Sequence, residues 1–197
     1  MREKLKVLLE DRFGKFNLSK ENIDDFAEYL FQLKKWNRTV NLISQQTVDE
    51  DIVDKLLIPS LGFFKLVGNV KEGILDIGSG GGFPAIPIKI YNRNIDIACL
   101  EKNRKKTTFL NYIFNKLNLK CSVVNIALES LNLKNKPLNI KYITTRGVNI
   151  TPVFLKNISI LRAHFLIHFT SPKINLSQLK IVDSYEINGI ALNLYKL

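Results

Sequence analysis

The run Ile74-Leu75-Asp76-Ile77, followed by Gly78-Ser79-Gly80-Gly81-Gly82 and then Pro84, narrows the folds open to this chain more than any other feature. Four residues of this kind suit a short buried strand. The glycines after it permit a tight turn and leave the backbone open to close approach by another group. Pro84 suits the first turn of a following helix, which the spacing carries through Ile86, Ile88 and Ile90. Three glycines in a row are costly unless the backbone must turn sharply or admit a ligand. Strand, Gly-x-Gly turn and helix together form a nucleotide-binding arrangement at the carboxyl end of a strand.

Beyond the glycine loop the same alternation repeats. Ile95 to Leu100 reads as a second strand ending at Glu101, and Lys102 to Asn118 as a helix with Phe109, Leu110, Ile113 and Leu117 inward. Cys121 to Asn125, Ile140 to Thr145 and Ala163 to Phe169 read as three more strands. The chain then changes character: Ile181 to Ile187 and Ile190 to Tyr195 flank Asn188-Gly189, a strong hairpin signal. Strands alternating with helices and finished by an antiparallel hairpin describe an α/β fold, a doubly wound and mostly parallel sheet, over residues 71–197. Residues 1–70 read as a helical extension. Leu5, Leu8, Leu9 and Phe13 follow a helical period that stops at Gly14. Ser19 is placed as an N-cap before the stripe Ile23, Phe26, Ala27, Leu30 and Leu33, with Lys34-Lys35 at the favourable end of the helix dipole. The apolar segment from Ile52 to Leu66 is expected to break at Pro59 and Gly62.

Two details bear on the ligand. A dinucleotide fingerprint needs a third glycine, and Phe83 stands in its place. Asp76 also sits just before the first glycine, where it disfavours a pyrophosphate but suits the ammonium and sulfonium of S-adenosylmethionine. Glu101, 23 residues after Gly78, is placed to accept both ribose hydroxyls. The constellation of Asp76, Gly78, Gly80 and Glu101 therefore favours S-adenosylmethionine over NAD.

Several segments together resemble the glucose-inhibited division protein B family, the bacterial small-subunit rRNA methyltransferases that act on guanine N7. The segments are Leu33-Lys34-Lys35-Trp36-Asn37, Val40-Asn41-Leu42-Ile43-Ser44, the loop from Leu75 through Pro87, Glu101 with Lys105 to Leu110, Leu128-Glu129, and Thr145-Arg146-Gly147. The resemblance implies a class I S-adenosylmethionine-dependent methyltransferase fold and cofactor contacts at Gly78, Phe83, Leu128, Glu129 and Arg146. Two stretches depart from the family's pattern. Asp54-Lys55 precede Leu56-Leu57-Ile58-Pro59-Ser60 where the family has Arg-His before Leu-Asp-Ser. Phe169-Thr170-Ser171-Pro172 stand where it has Lys-Gly.

Charge points the same way. The chain carries 29 Lys and Arg against 18 Asp and Glu, a formal +11. Residues 1–70 are balanced, so the whole excess lies in residues 71–197. A basic surface of this kind suits a polyanionic partner, here small-subunit rRNA or the 30S particle, and Lys102, Arg104, Lys105 and Lys106 are its candidate phosphate contacts. No apolar run approaches the roughly 20 residues a membrane span requires. Met1-Arg2-Glu3-Lys4 opens no secretory signal, so the expectation is a cytoplasmic protein, acting as a monomer, with Cys99 and Cys121 as core thiols.

Guanine N7 has a free lone pair near neutral pH, so methyl transfer to it needs no general base. Arg146 is the catalytic candidate, through a phosphate or guanine O6, and a cofactor-pocket role for it is equally open. His164 and His168 share spacing with a helical metal pair, but on a strand they share only a face and no metal site is expected. Trp36 and Phe31 are expected to pack in the core. Two other functions stay open: a non-catalytic RNA-binding protein retaining the fold, and a methyltransferase with a non-RNA substrate.

Overall fold

The computed structural model describes residues 1–14, 18–131, 139–171 and 176–197. Its centre is a sheet of seven strands among the described residues, in the order β3-β2-β1-β4-β5-β7-β6. These are β1 (Gly73–Ile77), β2 (Ile97–Leu100), β3 (Ser122–Val124), β4 (Ile140–Arg146), β5 (Phe165–Thr170), β6 (Lys180–Ile187) and β7 (Ile190–Lys196). The first five run parallel, and β7 slots antiparallel between β5 and β6. The order reverses between β1 and β4, so the crevice outside their carboxyl ends is where a doubly wound sheet takes a ligand. Asn188 and Gly189 both have positive φ, at 52° and 72°, as a two-residue hairpin turn requires.

Helices cover both faces. The stripe predicted for α2 (Lys20–Asn37) is buried, and Ser19 caps it in a capping box with Asn22. Leu5, Leu9 and Phe13 of α1 (Arg2–Phe13) join it in one core. That core also takes in Ile86, Ile88 and Ile90 of α6 (Ala85–Tyr91), Phe109 and Ile113 of α7 (Arg104–Lys116), and Ile74, Ile97, Tyr142 and Ile167 from the sheet. The helical extension and the sheet thus share apolar contacts rather than burying separate ones. On the opposite face Leu75, Leu100, Ile143 and Leu166 pack against Phe154 and Ile158 of α8 (Pro152–Ser159).

Four local expectations need correction. The segment expected to break at Pro59 and Gly62 runs helical through Pro59, as α3 (Asp49–Asp51), a π turn (Ile52–Leu57) and α4 (Ile58–Leu61), and is interrupted only at Gly62, before α5 (Phe63–Val67). A proline ring collides with the carbonyl four residues earlier in an α-helix, and the wider π turn accommodates it. Gly62 turns between the two helices in a right-handed conformation, and a Cβ there would lie 2.9 Å from the Pro59 carbonyl and 3.0 Å from Leu192, so the glycine also serves close approach. The helix expected over Lys102 to Asn118 is shorter at both ends. Asn103 caps it by accepting from the Lys105 and Lys106 amides, and Asn118 turns left-handed at φ 51°. The strand expected from Ile95 begins two residues later, and that expected from Ala163 begins at Phe165.

Candidate functional site

The glycine loop is held from three sides. From β2, the Glu101 carboxylate accepts the Gly80 amide at 2.9 Å and the Asn103 amide at 2.8 Å. Tyr29 of α2 donates its hydroxyl to the Gly81 carbonyl at 2.7 Å. Asn37 at the end of α2 accepts the Leu42 and Ile43 amides at 2.7 and 3.0 Å. That bends residues 40–43 back over the loop, where a Cβ on Gly81 would meet the Leu42 carbonyl at 3.2 Å. The N-terminal segments noted in the sequence therefore have a physical task, buttressing the loop from behind.

In front of the loop lies a cavity of about 530 Å³ lined by Ile77, Gly78, Glu101, Leu128, Val148 and Phe154 among others. Glu129, Lys102 and Lys106 also line it. Glu101 is buried, and each of its oxygens has spent only one acceptor site on a backbone amide, so the carboxylate can still accept a vicinal diol. Gly78 has φ +74°, and a Cβ there would come within 2.5 Å of Val148. A second cavity of about 590 Å³ shares the wall Gly147-Val148-Asn149 and is lined further by Arg146, His168, Phe169 and Thr170. Two adjoining cavities at the carboxyl edge, one lined by the buried Glu101 and one by the half-buried Arg146, can hold two reactants side by side.

The other expected site residues fall around this pair. Asp76 lies behind the loop, where its Oδ1 accepts from the Thr144 hydroxyl at 2.8 Å and its Oδ2 has no partner among the described residues. Desolvation pushes its pKa up to about 7. Phe83 is buried beneath the loop beside Tyr29, with ring centroids 5.3 Å apart, and it does not line either cavity. Arg146 donates Nη2 to the Lys55 carbonyl at 2.5 Å, while Nη1 is buried without a partner among the described residues. Burial lowers its pKa to about 10, which leaves it a cation at neutral pH. Lys102, Arg104 and Lys105 are exposed and Lys106 half-buried along the start of α7, none with a carboxylate partner among the described residues.

His168 is buried beside the second cavity, where desolvation lowers its pKa, and His164 is exposed at the opposite edge of the sheet. Among the described residues no three His, Cys, Asp or Glu side chains converge on a metal position. Cys99 and Cys121 are both free, with sulfurs 4.0 Å apart. Trp36 packs against Phe109 and Tyr112, and Phe31 lies partly buried against the same core. At the second departure, Phe169 is buried core and Thr170 half-buried, while Pro172 lies outside the described residues. Sequence reasoning misses Tyr29, Val148 and Asn149. A buried tyrosine in an apolar stripe does signal a needed hydroxyl partner, whereas Val148 and Asn149 sit in a loop with no periodicity.

Known proteins share the sequence family and the fold. The family described as "GidB: rRNA small subunit methyltransferase G" matches residues 22–165. A "Ribosomal RNA small subunit methyltransferase G" of Clostridium botulinum is 40% identical over 136 residues, 66% of this chain and 56% of that protein. One from Dictyoglomus thermophilum is 38% identical over 60% of this chain and 50% of its own length. The chain thus spans about half the length of the curated relatives it matches. Among solved structures, a SAM-dependent methyltransferase from Aquifex aeolicus superposes with a TM-score of 0.59 at 13% identity, covering 83% of this chain and 97% of that one. A tRNA (uracil-54, C5)-methyltransferase of Pyrococcus abyssi gives 0.56 at 12% identity over 78% and 40%. The structural likeness establishes the doubly wound fold of this class, and with the family match over residues 22–165 the chain belongs to the rRNA small subunit methyltransferase G family.

Proposed function

We propose that the chain transfers a methyl group from S-adenosylmethionine to guanine N7 of small-subunit rRNA. The observation that carries this reading is the pair of cavities sharing the wall Gly147-Val148-Asn149, one lined by Glu101 and the other bordered by Arg146. Glu101 would hold the ribose of the cofactor, Gly78 would let its backbone approach, and Leu128 and Glu129 would flank its adenine. Gly80, Phe83 and Asp76 act from behind by fixing the loop. When bound, the sulfonium supplies an electrophilic methyl carbon.

The chain's own groups do the rest. The wall sets the approach of the base toward the first cavity, and burial excludes water that would compete. Arg146 is a cation with one free Nη among the described residues, suited to guanine O6 or a phosphate oxygen. Glu129 lines the cofactor cavity and not the one assigned to the base, so its role is with the cofactor. Lys102, Arg104, Lys105 and Lys106 would take the RNA backbone beside the cavity mouth. We place the substrate as rRNA or the 30S particle, the working unit as a monomer, and residues 1–70 as an extension bracing the catalytic sheet. A cytoplasmic setting follows from that substrate, and no helix among the described residues is long and apolar enough to cross a membrane.

The absence of a cation at Phe169 and Thr170 favours one other reading, an RNA-binding protein that no longer transfers methyl groups. A tritiated-methyl assay on small subunits lacking the modification, followed by mapping of the labelled base, decides between them. Label at a guanine N7 is the expected result. Cofactor binding without incorporation would select the non-catalytic reading, and label on another base or molecule would overturn the substrate.

A further inference from the structure

We infer that Pro59 is a positioning residue for Arg146, an inference that rests on the reading of Arg146 as part of the methyl-transfer site. In a continuous α-helix the Lys55 carbonyl would accept from the amide at position 59, and proline has no N–H to give. The π turn over Ile52–Leu57 removes a second donor, because the Ile58 amide bonds to Val53 rather than to Asp54. Asp54 would then need the amide five residues on, which is again position 59. The π turn and the missing N–H of Pro59 together leave the Asp54 and Lys55 carbonyls without the amide at position 59.

Both carbonyls are used by side chains from distant parts of the chain. Arg146 Nη2 bonds to the Lys55 oxygen at 2.5 Å, and Asn188 Nδ2 bonds to the Asp54 oxygen at 2.8 Å. The first contact fixes the end of β4, where Arg146 borders the second cavity. The other ties the β6–β7 turn to the same point, two residues before Ile190, which also lines that cavity. Among the described residues Arg146 has no carboxylate to hold it: its Nη1 lacks a partner, and the neighbouring ionisable group bearing on its charge is the Tyr29 hydroxyl. The orientation of a half-buried guanidinium held at one carbonyl depends on that carbonyl being free, and Pro59 frees it. This gives the departure at Leu56-Leu57-Ile58-Pro59-Ser60 a role of its own.

The test begins with nitrogen-detected NMR of the arginine side chains in the full chain. In the wild type the Arg146 guanidinium is expected to rotate slowly, and free rotation would overturn the inference. In Pro59→Ala the restored amide should recapture the Lys55 carbonyl, so the Arg146 signals should average. Methyl transfer, measured as kcat/KM, should fall about tenfold. In an Arg146→Ala background the same substitution should change kcat/KM by less than about twofold, since both changes act through one side chain. Unchanged Arg146 signals in folded Pro59→Ala, or fully additive losses, would show that Pro59 does not act through Arg146. If the alanine variant does not fold, Pro59→Gly restores the same N–H with a more adaptable backbone and carries the same expectations. The NMR result stands without any methyl acceptor, so loss of the signature's dependence on Pro59 sinks this inference alone, while a wild type that transfers no methyl group sinks only the reading of the site.

Discussion

Asp76 has one carboxylate oxygen on the Thr144 hydroxyl and the other without a partner among the described residues, and its pKa of about 7 follows first from burial and then from the nearby Glu101 charge. In the unfolded chain the same group titrates near 3.8. Between these values the folded state holds more protons than the unfolded one, so stability falls as pH rises through the window from about 4 to about 7. Its contribution to that fall is on the order of 1 kcal/mol per pH unit. Asp76→Asn should flatten this stretch of the curve, as read by urea unfolding at pH 4.5 to 7.5. A variant that keeps the wild-type slope would assign it elsewhere. Two residues on, Gly78→Val meets both a positive φ and Val148 at 2.5 Å from the new Cβ. We expect S-adenosylhomocysteine binding by calorimetry to weaken at least about tenfold, the scale of 1.4 kcal/mol. Wild-type affinity would move the cofactor away from this loop.

At the scale of elements, α2 and the turn after it act as a brace. Asn37 satisfies two backbone amides, one of them the buried Leu42 N–H. Asn37→Ala should cost about 2 kcal/mol, because an amide shut away from water is left unpaired. Denaturant unfolding would measure this, and a loss below about 0.5 kcal/mol would mean water replaces the side chain. Elements with a clean period are legible in the sequence: the α2 stripe, the β1 run into glycines, and the hairpin around Asn188-Gly189. Pro59 misleads because the usual rule treats an internal proline as a stop, whereas here a wider turn absorbs it. In the site, Gly78 and Glu101 are legible as local chemistry at strand ends. The far wall at Val148 and Asn149, and the placement of Phe83 beneath the loop, depend on which loop folds over which strand. No local pattern carries that information.

Across the whole molecule the net charge of +11 bears on binding rather than on folding. The exposed Arg104 and Lys105 stand in the chain between Lys102 and Lys106, which line the cavity, and have no ion pairs among the described residues. Changing both to Gln should lower the slope of log affinity for an rRNA fragment against log salt by about 1.4 to 1.8, or roughly 0.7 to 0.9 for each phosphate left unneutralised. Fluorescence anisotropy across a salt series gives that slope, and an unchanged slope would place the RNA on another face. The sheet order has a consequence for the making of the protein itself. Its inner strand β1 pairs with β2 after a short excursion, but its other neighbour, β4, begins at Ile140. During synthesis the glycine loop is therefore translated long before the strand that completes its far wall. Until β4 and the start of α8 have emerged, the face of β1 that carries Leu75 lacks Ile143, Phe154 and Ile158 to pack on. Such distant pairings are slow to form. A growing chain would carry half a pocket for much of its time on the ribosome, and would gain a binding site only as its last third arrives.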